Sequence, residues 1–68
     1  MKIIQSILFP KNEFSIDDAK LWLIQHNLYH LKLDETKNFY RFRQVNPDNL
    51  KKFIIETLPN KIELVIQY

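Results

Sequence analysis

The residues in this chain best suited to bind something are Tyr40-Arg41-Phe42-Arg43. In an extended segment successive side chains point to opposite faces, so Tyr40 and Phe42 go one way and Arg41 and Arg43 the other. Phe39 falls on the arginine face. Cations beside an aromatic ring are what a sheet uses to hold phosphates and stack bases. The preceding segment, LYHLKL, alternates in the same manner. Setting Leu33 opposite Tyr40 and Leu31 opposite Phe42 keeps the apolar residues together. That register puts Lys32 opposite Arg41 and His30 opposite Arg43. Like charges directly opposite each other destabilise a sheet. Such a cluster is either neutralised within the chain, by Asp34 or Glu63 on the diagonal, or used on an anion. Lys51 and Lys52 add two candidate phosphate contacts, though a solvated helix end explains them as well. The candidate nucleic-acid-binding set is therefore Lys32, Phe39, Arg41, Arg43, Lys51 and Lys52, without any RNP-type aromatic motif to support it.

Other reactive side chains read as structural. Trp22, at helical spacing from Ala19 and beside Leu23, is a core residue. His26 and His30 straddle a helix end and lack a third ligand, so no metal site is expected. Ser6 and Ser15 have no obvious base. Asp17 and Asp18 are adjacent and point different ways on a helix, a poor arrangement for paired acid–base work. With no glycine in the chain, a glycine-rich phosphate loop is excluded. The expectation is a protein that is not an enzyme, with no catalytic residues, no cofactor and no small-molecule substrate.

Sixty-eight residues make a single domain, residues 1–68. A chain this short buries only about 60% of the surface it exposes when unfolded, so its stability is marginal. No cysteine is present to staple the core or hold zinc. The apolar fraction is 46%, with five Phe, three Tyr and one Trp, enough for dense packing. A homodimer is a second expectation for so small a core. The formal charge is only +2. Residues 37–52, however, carry Lys37, Arg41, Arg43, Lys51 and Lys52 against Asp48 alone, while residues 13–18 are acidic. The N-terminus lacks the apolar run and cleavage site of a signal peptide. No stretch approaches the roughly 18 apolar residues of a membrane span. A soluble, intracellular protein with no membrane partner is expected.

Which elements position the basic cluster follows from periodicity. Residues 2–9 read as a first strand, apolar on both faces, ended by Pro10. Ser15 stands as an N-cap, Phe14 before it is placed to staple onto Ala19, and Asp17 and Asp18 suit the first turn. Ile16, Ala19, Trp22, Leu23 and His26 then space a helix over residues 16–26, with Asn27 in the left-handed conformation that ends it. A hairpin of residues 28–33 and 39–45 follows, with residues 35–38 as its loop. Asn46 and Pro47 suit the start of a short second helix over residues 48–53. Residues 53–58 either extend that helix or form an extended segment. Pro59-Asn60 is a turn, and residues 61–68 are a last strand with Ile62, Leu64, Ile66 and Tyr68 on one face. The order β-α-β-β-(α)-β is that of an α+β domain. It implies a small antiparallel sheet with helix packed on one face, ferredoxin-like or a truncated variant of it.

Five stretches carry a resemblance: Phe9-Pro10-Lys11, Ala19-Lys20-Leu21-Trp22-Leu23, residues 34–44, Pro47, and residues 62–66. Together they resemble a short domain of tailed-phage and large-DNA-virus proteins, or of associated mobile elements. Its pattern is A-K-x-W-L, then D-E-T-x-N-x-Y-R-F-R-Q, then I-x-L-V-I. The similarity covers nearly the whole chain. It implies a viral or mobile-element origin, in the host cytoplasm or the virion, and supplies no activity. Where the pattern carries glycine after the first helix and before the last strand, this chain has Asn27 and Asn60. Asparagine is the next-best residue for positive φ.

Two functional readings result. One is an accessory protein binding nucleic acid through a basic sheet face. The other is a protein-interaction or virion assembly module with no nucleic-acid role, its sheet face or edge strands docking a partner or a second copy. Salt separates them, because phosphate binding weakens steeply with ionic strength and an apolar interface does not.

Overall fold

Ile3–Pro10 forms β1, the long strand on which the rest assembles. It is followed by α1 (Ile16–Gln25), β2 (Leu33–Glu35), β3 (Phe39–Arg43), β4 (Phe53–Thr57) and β5 (Glu63–Gln67). The computed structural model describes residues 2–68. The five strands make one sheet in the order β2-β3-β1-β5-β4, every neighbouring pair antiparallel. The α+β class is as expected, with the helix packed on one face of the sheet. The run β2-β3-β1-β5 has the neighbour order of the split βαβ layout. Antiparallel β3 between them leaves β1 and β2 parallel, joined across α1.

The helix begins and ends as its residues predict. Ser15 is extended (φ −79°, ψ 169°) and its Oγ accepts from the Asp18 N–H at 3.1 Å. At the other end Leu28 N–H donates to Leu23 O and Asn27 N–H to Ile24 O, a Schellman pair of bonds. Asn27, at φ 57°, supplies the left-handed residue that such an end requires. Leu23 and Leu28 both join the core, the apolar contact that accompanies this cap. Ala19 and Leu23 are buried against Ile7, Phe9, Phe42 and Ile62. Phe9 is the hub, meeting Phe14, Trp22 and Phe42 edge-to-face at 5.4, 5.7 and 5.7 Å. Trp22 is only partly buried and also stacks on the His26 ring at 3.9 Å.

Three expectations are corrected. The second helix is absent among the described residues. Residues 48–51 make a single turn, in which Lys51 N–H reaches Asp48 O, and the chain then runs extended as β4. Ile54, Ile55 and Thr57 are β-branched and favour a strand, and Ile54 pairs with Ile66 of β5. A fifth strand thus stands where the layout has its second helix.

The strand expected at residues 28–33 is instead a bend followed by the short β2. The register with β3 is two residues further along, with Leu33 opposite Phe42, Asp34 opposite Arg41 and Glu35 opposite Tyr40. Because the slip is two residues, every side chain keeps its face. The turn narrows to Lys37-Asn38, closed by the Thr36 N–H to Phe39 O bond of 2.9 Å. The ladder ends one residue before β2, at the Arg43 N–H to Lys32 O bond of 3.0 Å. The next residue, Gln44, turns its N–H to Gln5 O of β1 at 2.8 Å, and residues 28–31 stay outside the ladder. Tyr29 is held instead by the Gln44 side chain, whose amide takes both its N–H and its C=O at 2.9 Å.

The third correction concerns positive φ before the last strand, which falls on Lys61 (73°) rather than Asn60. Pro59-Asn60-Lys61 is a three-residue hairpin loop, in which Lys61 N–H reaches Leu58 O and Leu58 N–H reaches Ile62 O. Asn60 Oδ1 accepts from the Ile62 N–H, so its side chain braces the loop.

Candidate functional site

Since Tyr40 and Phe42 face the helix side, β3 sends Phe39, Arg41 and Arg43 to the other face, which no element among the described residues covers. A bulge in β1 sets what lies beside them. Ile4 pairs with Ile66 and Ser6 with Val65, so Gln5 is the extra residue and Ile4 and Ile7 end on one face. Gln5 and Ser6 are both buried. The Gln5 amide donates to Val45 O at 3.0 Å, and Ser6 Oγ donates to Gln5 Oε1.

Arg41 closes this network. Its Nε donates to Ser6 Oγ and its Nη2 to Gln5 Oε1, both at 3.2 Å. Across the strand pair stands Asp34, in the position where Lys32 was expected. Asp34 in turn pairs with Arg43, Oδ2 to Nη2 at 3.2 Å. The repulsion expected on this face is therefore partly relieved by Asp34 and by neutral acceptors. The Arg43 Nε is buried and has no hydrogen-bond partner among the described residues. Lys32 adjoins Arg43, whose N–H donates to Lys32 O, and is exposed.

A cleft opens at each end of β3. One, of about 340 Å³, is lined by Tyr29, Leu31, Lys32, Arg43 and Gln44 among others. The second, of about 410 Å³, is lined by Pro10, Lys11, Lys37, Asn38 and Phe39. Each sets two cations beside one aromatic ring, and Arg41 lies between the clefts. Lys11 is bound to Glu35 at 2.7 Å and lies 5.2 Å from the Tyr40 ring centre, while Lys37 is exposed. The β2–β3 end of the sheet thus gathers Lys11, Lys32, Lys37, Arg41 and Arg43 against Asp34 and Glu35. The rest of the chain carries five cations against six carboxylates, so the positive balance resides in this part.

Of the sequence candidates, Lys32, Phe39, Arg41 and Arg43 come together. Lys51 and Lys52 do not. They adjoin β4, across β1 and β5 from β3, three strand spacings or roughly 14 Å away. Lys11, Lys37 and Tyr29 belong to the group and were not singled out. Lys37 sits in the basic window, but only the β1–β3 pairing of Pro10 with Phe39 brings Lys11 near it. The two serines are occupied structurally, Ser15 as the cap and Ser6 in the Arg41 network. Among the described residues no group of three His, Cys, Asp or Glu side chains is arranged to hold a metal. Nor is any helix among them long and apolar enough to cross a membrane. Comparison with protein-family models, curated proteins and solved structures finds no match.

Proposed function

We propose that the chain is a small viral or mobile-element accessory protein that binds nucleic acid along the β2–β3 end of its sheet. The viral setting rests on the resemblance carried by residues 19–23, 34–44 and 62–66. The binding reading rests on one observation: two clefts at opposite ends of β3, each with two cations and an aromatic ring. A strand of nucleic acid lying along β3 meets Lys37, then Arg41, then Arg43 and Lys32, with Lys11 bordering the first cleft from the Tyr40 side. Tyr29 and Phe39 offer rings on which bases stack, a contact every base can make. That chemistry favours backbone and stacking contacts over sequence readout, and single strands over duplex.

Titration of a fluorescent oligonucleotide, single-stranded and as duplex, tests the reading. With three to five phosphates neutralised, the log–log salt slope for the single strand is expected at about −2 to −3.5. Among the described residues Lys32 and Lys37 enter no ion pair, so Lys32→Gln with Lys37→Gln leaves folding intact. That double change is expected to flatten the slope by about 1.4. Wild-type protein that fails to bind either form at low salt refutes the proposal.

A further inference from the structure

The two edges of the sheet are built differently. β2 is three residues long and carries Asp34 and Glu35, which guard it against pairing with another chain. β4 is five residues, Phe-Ile-Ile-Glu-Thr, with no proline and no register shift against β5. Phe53 and Ile55 are 43% and 64% exposed. A long, regular, apolar edge of this kind is a template for a further strand.

The backbone groups on offer follow from the ladder on the strand's other side. Lys52 and Tyr68 exchange both hydrogen bonds, at 3.0 and 2.9 Å, and Leu58 N–H donates to Ile62 O. Bonded pairs alternate along an antiparallel ladder, so Ile54 and Glu56 also turn their backbone groups toward β5. Phe53, Ile55 and Thr57 therefore turn their N–H and C=O groups outward.

We infer that this edge pairs with the same edge of a second copy, antiparallel and two-fold about Ile54, giving a continuous ten-stranded sheet. The sequence Lys52-Phe53-Ile54-Ile55-Glu56 is complementary to its own reverse. In that register Phe53 faces Ile55 of the second copy as a bonded pair, using the free groups just identified. Ile54 faces Ile54 and Lys52 faces Glu56, as the close, non-bonded pairs in which side chains interact most. Neither Lys52 nor Glu56 enters an ion pair within the chain among the described residues. The register centred on Ile55 is equally compatible with the backbone. It keeps one apolar pair, Ile55 against Ile55, but sets Ile54 against Glu56, Phe53 against Thr57 and Lys52 against Leu58, and so loses the charge match and both Phe53–Ile55 pairs. The inference is independent of nucleic-acid binding, since the basic end lies at the opposite edge. Pairing one short strand covers less than the roughly 1,200 Å² of a tight interface, so a micromolar dimer is expected.

Sedimentation equilibrium across low to high micromolar concentration, with circular dichroism as a folding check, tests it. Lys52→Glu or Glu56→Lys alone turns two attractive pairs into repulsive ones and is expected to weaken the dimer about tenfold. The double exchange Lys52→Glu with Glu56→Lys is expected to restore it. Ile55→Pro removes an outward N–H while leaving the β5 ladder whole, and is expected to abolish the dimer in folded protein. Three results overturn the inference: wild-type protein that stays monomeric at high micromolar concentration, single exchanges without effect, or a double exchange that fails to rescue. A dimer indifferent to these exchanges but lost on Val65→Lys would mean packing between open sheet faces instead, and overturns it equally.

Discussion

Arg41 has two masters, and replacing it by methionine separates them. The change keeps most of the side chain's apolar bulk and removes the guanidinium. Ser6 Oγ then loses its donor from Arg41 Nε, and Gln5 Oε1 keeps only the bond from Ser6. Both acceptors are buried, so water does not replace the lost donors cheaply. At about 0.5–1.5 kcal/mol net per bond, the loss is about 2 kcal/mol. In a chain of this length each kcal/mol shifts the melting temperature by about 4–8 °C, so a drop of about 8–16 °C is expected. Thermal unfolding by circular dichroism measures it, in low salt and in 1 M NaCl. Bonds to neutral acceptors persist in salt, whereas an attraction to Asp34 is screened. A double-mutant cycle with Ser6→Ala is expected to give a coupling of about 1 kcal/mol. A melting temperature within about 2 °C of wild type refutes this reasoning. A drop that disappears in 1 M NaCl does so too, because it assigns the effect to surface charge.

Two further outcomes concern stability. Ser15→Ala is expected to cost about 1 kcal/mol in urea titration, with Ser15→Asp tolerated; equal losses would move the helix start elsewhere. Phe9→Ala is expected to cost about 3–5 kcal/mol and to exceed Trp22→Ala, because Phe9 is fully buried at three ring contacts and Trp22 is half-buried. The reverse order in guanidinium unfolding would displace Phe9 as the hub.

Helix α1 was legible almost to the residue because its signals are local: the Ser15 cap, the Ile16-Ala19-Leu23 spacing and Asn27 all act within one element. The class of the fold followed from element order. What the sequence did not disclose depends on distant partners. Residues 2–9 look apolar on both faces because a bulge at Gln5 resets the alternation, and nothing local to Ile4-Gln5-Ser6 marks it. LYHLKL pairs with β3 only from Lys32 onward, and the Gln44 side chain holds Tyr29 outside the ladder, a contact across the chain that alternation does not reveal. Residues 53–57 were ambiguous between helix and strand, as short apolar runs are, and pairing with β5 decided them. At the site, alternation correctly put Phe39, Arg41 and Arg43 on one face. The internal partners of the arginines escaped because Gln5 and Ser6 reach Arg41 only through the β1–β3 pairing. Lys11 escaped for the same reason, and Lys51 and Lys52 were included only because they are near in sequence.

Edge pairing and the basic end of the sheet bear on each other through geometry. In the dimer inferred above, β3 and its symmetry mate are separated by seven strand spacings, about 34 Å. That distance matches one turn of duplex DNA and invites a picture of one duplex held by both copies. Sheet twist argues against it. At about 20–25° per neighbouring pair, seven steps rotate the open face by about 140–175°. The second basic stripe then looks away from the first, and a straight duplex meets only one. The dimer should therefore bind two oligonucleotides independently, and binding should leave the dimer constant unchanged, since sites without coupling energy cannot shift each other. Sedimentation with and without saturating oligonucleotide measures both quantities. One duplex per dimer, or a dimer tightened severalfold by the oligonucleotide, would show that the sheet is much flatter than its strands' ordinary twist allows, or that the copies join some other way.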